Sequence, residues 1–244
     1  MNWKLLSFIW ISYPVAIQLG AEKTRSILAY VHRHYMNSTS SDFDYLYLVG
    51  DDVTVVVENL LNYLTLLNDQ NKAGLPLYIG SHSWAGEGNY VFNGGGAGYL
   101  LNNIALQRYM DEAFHSCWPT RRVNAEDRML GKCMKDLNIQ PVDTADDAHR
   151  QRFQIVDPNF VATKNPKKGF WKRLYKLWEK KHGYHWGVDL ISTQSCVFHL
   201  LKNSEHIKRV HSIIYRACPV DSTLGKALFN IDQRKHSTGA SSVK

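Results

Sequence analysis

A chain of 244 residues holds one large domain or two small ones, and either buries a substantial core. Its 44% hydrophobic and 21% charged content is ordinary for a globular protein, and four cysteines without a paired C-x-x-C spacing exclude a disulfide-built scaffold and a cysteine metal knuckle. The net charge of +7 favours an anionic partner such as a nucleotide diphosphate, a membrane surface or a polyanion; nucleic acid is set aside, because the basic residues are dispersed outside one helical stretch and no recognised nucleic-acid motif accompanies them.

Residues 1–19 are apolar, with Lys4 near the start and Tyr13-Pro14 as an interruption. That is short and broken for a spanning helix, which needs about 20 apolar residues, and no small-x-small site follows to mark a signal peptide. A buried strand or loop is the favoured reading, and membrane association stays open. Over residues 22–35, Ile27, Leu28, Val31 and Tyr35 recur at helical spacing. Asn37-Ser38-Thr39 satisfies the glycosylation triplet, a common chance match. The run Tyr45-Leu46-Tyr47-Leu48-Val49 reads as a buried strand. An amphipathic helix is expected over residues 53–68, a short strand over 75–80, a glycine-containing turn over 81–89 and a strand at Tyr90-Val91-Phe92. The glycine cluster Gly94 to Gly98 is expected to lead directly into an apolar helix reaching Met110. A further helix is expected over 125–137, a basic, tryptophan-containing one over 170–181, and a β-prone segment over 188–201; the Ser, Lys and Gly-rich end from Arg234 reads as a disordered tail. Strands and helices alternate, so the class is α/β.

Four pieces carry chemistry. Asp51-Asp52 closes the first strand, at the sheet rim where open α/β folds bind ligands. Paired carboxylates there suit a hard divalent cation and, through it, a diphosphate; an exposed acidic turn is the plainer alternative. The glycines at 94–98 let backbone amides approach a ligand closely, or else make a tight turn. They form no Walker loop and lack dinucleotide spacing. Glu126-Asp127, at a helix start, suits a general base or simple helix capping. His199, inside Cys196-Val197-Phe198-His199-Leu200, becomes a metal ligand only if the fold brings it to Asp52, since imidazole plus carboxylate holds an ion such as manganese. Cys117 and Cys133 could bridge locally, and Cys196 and Cys218 could pair or stay free.

Together the pieces resemble the fringe-like and core 1 β1,3-galactosyltransferases, glycosyltransferase family 31. Asp51-Asp52 with Val55-Val56-Val57-Glu58-Asn59-Leu60 is similar to the family's Asp-rich strand end and Val-Glu-Asn-Leu helix. Gly95-Gly96-Ala97-Gly98-Tyr99 matches its glycine block, and Cys117 through Glu126-Asp127-Arg128-Met129-Leu130-Gly131-Lys132-Cys133 its Glu-Asp segment. Asp143-Thr144 to Arg152-Phe153 and Ser195 to Leu200 resemble its closing elements. All blocks stand in family order over roughly residues 22–203, which is more specific than any one block.

The resemblance implies a nucleotide-diphospho-sugar transferase (GT-A type) fold, a Rossmann-like mixed sheet flanked by helices. It places an apolar segment at 1–20, a transferase domain at 21–233 and the tail at 234–244. It implies an inverting, manganese-dependent hexosyltransferase taking a UDP-sugar donor and a glycoprotein or glycan acceptor on the lumenal side of the Golgi membrane. By the same likeness Asp52 and His199 hold the metal, Asp51 supports metal or donor, and Gly95 and Gly96 floor the sugar site. Asp127 is the base, Glu126 orients it or touches the acceptor, and Cys117–Cys133 is a disulfide. Departures accompany the likeness. Gly50 stands where the family has its first Asp, Ser192-Thr193 replaces a Ser-Asp pair, and against the family the half that binds uracil and ribose is shortened. A non-catalytic relative, a folding helper or carbohydrate binder, is the alternative, as is an inactive fragment.

Overall fold

A computed structural model describes residues 20–36, 43–70, 72, 74–85, 89–118, 125–155 and 190–199. These lie in the first of two compact units, Met1–Leu200; the second, Leu201–Lys244, falls outside them. The apolar stretch 1–19, the triplet Asn37-Ser38-Thr39, the basic helix 170–181, Cys218 and the tail from Arg234 also lie outside the described residues.

Strand geometry sends successive side chains to opposite faces, and β1 (Tyr45–Leu48) uses both. Tyr45 and Tyr47 enter one core cluster, Leu46 and Leu48 the other. Antiparallel to β1 runs β6 (Tyr99–Asn102), with Tyr45 opposite Asn102 and Leu48 opposite Tyr99. The far edge of β6 pairs antiparallel with β3 (Tyr78–Gly80), which pairs parallel with β7 (Pro141–Val142). The sheet order is therefore β1-β6-β3-β7, a mixed sheet. On one face lie α1 (Gly20–Tyr35), α3 (Asn103–Arg108) and α4 (Glu126–Asp136), which pack Leu28, Leu106 and Leu130 against Tyr78, Tyr99 and Leu101. The other face meets α2 (Val57–Asp69) through Leu60, Tyr63, Leu64 and Leu67. That second core also takes Phe153 and Val197 from a smaller sheet, in which β9 (Val197–His199) lies between β2 (Val53–Val55), antiparallel, and β8 (Phe153–Gln154), parallel. The α/β class and the mixed, helix-flanked sheet agree with expectation.

Several local expectations are corrected. Residues 53–68 are not one helix. The β-branched Val53-Thr54-Val55, stiff at χ1 and suited to a pleat, pairs with β9, and the helix starts at Val57. Residues 81–89 are not a turn: β4 (His82–Ala85) forms a hairpin with β5 (Tyr90–Asn93). His82 and Ser83 look like loop residues but are buried, and the His82 ring meets the Val142 carbonyl at 2.9 Å. The glycine cluster does not open a helix. Gly95–Ala97 make a single 3-10 turn and the chain re-enters the sheet as β6, so no helix dipole is aimed at that point. Buried on both faces and bonded on both edges, β6 has no polar period to distinguish it from a helix. The helix begins only at Asn103, where the Asn102 side chain accepts the Ala105 N–H, and it ends in a π-helical turn, Tyr109–Ala113. Asn102 also explains why the 75–80 strand is shorter than expected, since its side chain bonds the Leu75 carbonyl and the Leu77 N–H in place of a ladder.

The helical face is braced by a buried cation and a disulfide. The Arg25 guanidinium donates to the Tyr109 hydroxyl at 3.3 Å, the Cys117 carbonyl at 2.6 Å and the Phe114 carbonyl, and sits over the Phe114 and Trp118 rings. Cys117 is bonded to Cys133 of α4, closing the segment ahead of that helix. Cys196 is a free, buried thiol. Closing a loop of this size constrains the unfolded chain by about 3 kcal/mol. A Cys117→Ala/Cys133→Ala variant is expected to lose about that much unfolding free energy in a denaturant titration, with the midpoint shifted and the slope little changed.

Candidate functional site

The site is assembled around the glycine turn. Because Val53 of β2 lies opposite His199 of β9, the register carries the preceding residue, Asp52, to the imidazole. His199 Nε2 and Asp52 Oδ1 stand 3.5 Å apart. The other ring nitrogen, Nδ1, is 2.8 Å from the Ile155 carbonyl oxygen, which only accepts, so Nδ1 carries the proton. In the neutral ring Nε2 then presents its lone pair beside Asp52, the tautomer that a carbonyl on the far ring nitrogen sets in a metal-binding histidine. Carboxylate plus imidazole is a donor set that fits manganese. Among the described residues no cluster of three or more His, Cys, Asp or Glu side chains forms, so such an ion would take its remaining ligands from substrate and water. Asp51 is exposed in the turn after β1.

On the opposite side of the turn stands the start of α4. The Gly95 N–H donates to Asp127 Oδ2 at 2.9 Å and the Arg128 N–H to Oδ1 at 2.7 Å, so both oxygens of that carboxylate are oriented by backbone. Burial nevertheless pushes the Asp127 carboxyl above its ordinary value, against those donors and the nearby Arg128 charge. Glu126 makes no hydrogen bond to Asp127; its Oε2 accepts the Tyr99 hydroxyl at 2.8 Å. Burial, reinforced by the neighbouring Asp127 charge, raises Glu126 to about 8 despite that bond. Two adjacent carboxyls thus differ in environment, the usual way of setting apart a proton holder and a base.

The glycines are required by close approach. A Cβ built on Gly95 would collide with the Glu126 carboxyl, and one on Gly96 would lie 2.7 Å from His199 Nδ1 and 3.2 Å from the Ile155 carbonyl. Gly95 and Gly96 therefore stand between the Glu126-Asp127 pair and His199. Beside Gly95 opens a cavity of about 220 Å³, bounded by Lys23, Thr24 and Ile27 of α1, by Gly50, and by Tyr99 and Glu126. The sequence reading missed Lys23 and Thr24, which carry no motif. Tyr99 was visible only as the last letter of the glycine block.

No family model matches the chain. It is 26% identical, over 214 residues, to glycoprotein-N-acetylgalactosamine 3-beta-galactosyltransferase 1 of Xenopus laevis. The alignment takes in 81% of this chain and 54% of that protein, so the chain spans about half the length of the curated relative it matches. The likeness read from the motifs thus has a counterpart over most of this chain: it is similar to a protein that carries the galactosyltransferase name. Among the described residues no helix is long and apolar enough to cross a membrane.

Glu126 makes stability depend on pH. Its folded value, about 8, lies above the ordinary 4.5, so the folded state keeps a proton that the unfolded chain releases. That contribution is complete below the ordinary value and is lost as pH rises through about 8. Wild type is expected to lose on the order of a few kcal/mol between about pH 5 and about pH 9 relative to Glu126→Gln, which has nothing to titrate there. Denaturant unfolding of both proteins at the two pH values checks it.

Proposed function

We propose that the chain is a metal-dependent, inverting β1,3-hexosyltransferase that moves galactose from UDP-galactose to N-acetylgalactosamine on a glycoprotein. The observation that carries this reading is the meeting of Asp52 and His199 on one flank of the Gly95-Gly96 turn, with Asp127 bonded to the other. Donor and acceptor identity are supported by the name of the Xenopus laevis relative. A Golgi-lumenal location is supported by the family likeness and by the Cys117–Cys133 bond, which persists in oxidising compartments.

In this reading Asp52 and His199 hold manganese, which when bound supplies positive charge against a departing diphosphate. Asp127 takes the proton of the acceptor hydroxyl as that oxygen attacks the anomeric carbon from the face opposite the leaving group. The N–H groups of Gly95 and Arg128 fix the direction of its carboxylate, and the lift in its pKa makes it a better base than an exposed aspartate. Gly95 and Gly96 let the base and the metal ligands close tightly on the two flanks of one turn.

Two expected outcomes test the assignment. Asp127→Asn should lower transfer by at least about a hundredfold, the scale of general-base catalysis, while UDP binding changes little; an active variant removes Asp127 as base. Manganese should tighten UDP binding to wild type, measured calorimetrically, and do so much less in Asp52→Ala and in His199→Ala. An equal manganese effect in all three would leave the pair a structural contact. Absence of UDP binding to wild type would turn the reading to a non-catalytic carbohydrate binder.

A further inference from the structure

Two sequence blocks have no role in the chemistry above: the start of α2, Val56-Val57-Glu58-Asn59-Leu60, and the stretch from Asp143-Thr144 to Arg152-Phe153. Both close on one segment, residues 190–199, which carries His199. Asn59 Nδ2 donates to the Ser195 carbonyl at 2.8 Å, and the Val56 N–H donates to the Cys196 carbonyl at 2.8 Å. From the other block, Asp146 Oδ2 accepts the Ser192 hydroxyl at 2.7 Å, and the Gln151 carbonyl accepts the Ser192 N–H at 3.0 Å.

Arg152 stands where these contacts converge, and it is 7% exposed. Its Nη1 donates to the Thr144 carbonyl at 3.2 Å and to the Ala145 carbonyl, and its Nη2 to Gln194 Oε1 at 2.9 Å. The guanidinium also lies over the Tyr63 ring of α2, 5.1 Å from its centroid. One side chain therefore ties the turn ahead of β9 to the loop after β7 and to α2. A guanidinium suits this task because it is planar and presents its N–H groups in fixed directions. A lysine ammonium keeps the charge but is a mobile point that cannot reproduce the fork.

The backbone of Arg152 extends the same grip toward the site. Its carbonyl accepts the Cys196 N–H at 2.8 Å and the Val197 N–H at 3.3 Å, where β9 begins. Beyond that point β8 and β9 run parallel, with Phe153 beside Val197 and Gln154 beside Phe198. The strand then reaches Ile155, whose carbonyl meets His199 Nδ1 at 2.8 Å. Both the strand that carries the imidazole and the carbonyl that sets its tautomer are thus referenced to Arg152. β9 is three residues long, so its own ladder supplies few bonds to fix its register and tilt. A metal site tolerates deviations of only about 0.2 Å in its ligand distances, so the bonds at the entrance to β9 matter at its end.

We propose that Arg152 is a positioning residue for metal binding. Through Gln194 and the β8–β9 ladder it holds the His199 imidazole at its distance from Asp52. The proposal rests on the reading of Asp52 and His199 as manganese ligands, and it gives the Arg152 block a task that the reaction itself does not require of it.

The test reads the factor by which manganese tightens UDP binding, measured calorimetrically, beside UDP affinity without metal. Arg152→Lys keeps the charge and removes the fork. Gln194→Ala removes one partner from an exposed position and decides the matter should Arg152→Lys fail to fold by circular dichroism. The manganese factor should fall about tenfold or more in Arg152→Lys, the scale on which partners that orient a ligand act, and about threefold in Gln194→Ala. UDP affinity without metal should stay as in wild type. A wild-type manganese factor in the deciding variant, or a loss that is equal with and without manganese, overturns the positioning role and leaves the Asp52–His199 site in place. A wild-type protein whose UDP affinity ignores manganese overturns the metal site, and the role of Arg152 with it.

Discussion

The arrangement depends on a stretch of backbone that carries almost no side chains. Between Gly94 and Gly98 the chain makes one tight turn, and three other elements close on it. Gly95 lies against Glu126 and bonds Asp127, Gly96 touches the His199 ring, and Gly98, at φ +66, is pressed onto the end of β1. The Tyr47 hydroxyl donates to the Ala97 carbonyl at 2.6 Å and seals the turn from below. A methyl group at 95 would displace the Glu126 carboxyl, and one at 96 would press on the His199 ring and the Ile155 carbonyl. The composition of the turn is thus a distance constraint expressed as missing atoms.

That closeness has an electrostatic cost. Glu126 and Asp127 are adjacent, half-buried, and both raised by desolvation. The backbone donors serve Asp127, while burial and then the Asp127 charge lift Glu126 to about 8, so that it keeps its proton at neutral pH. Such a pair weakens the fold, and the rest of the helical face offsets it. Arg25 fills its hydrogen-bonding needs with carbonyls and rings, and the disulfide shortens the free chain leading into α4. A strained site on a braced support is the familiar trade between stability and activity.

Much of this was legible from residues alone, and the exceptions are instructive. The helices at α1 and α4, strand β1 and the Cys117–Cys133 bond were anticipated because periodicity or motif marked them. The condition placed on His199, that it must reach Asp52, was a statement about tertiary structure that no local pattern could decide; a strand pairing decides it. The errors fall where burial hides the period. β6 was read as a helix because a strand covered on both faces alternates nothing, and β4 as a turn because its His82 and Ser83 find buried partners or positions despite being polar. Lys23 went unnoticed since a lone lysine on a helix is ordinary until a cavity is seen beneath it.

The pairing of β2 with β9 also governs the order in which the protein can be made. Asp52 emerges from the ribosome early and His199 late, after Cys117 and Cys133 have already been synthesised. Local contacts within α1, α2 and the β4–β5 hairpin close loops cheaply, whereas the β2–β9 ladder must close a loop spanning most of the described chain. A nascent chain can therefore carry its main sheet, its glycine turn and Asp127 while Asp52 still faces water. The last strand to dock completes the site, so a quality-control step that probes exposed β2 would distinguish finished molecules from unfinished ones.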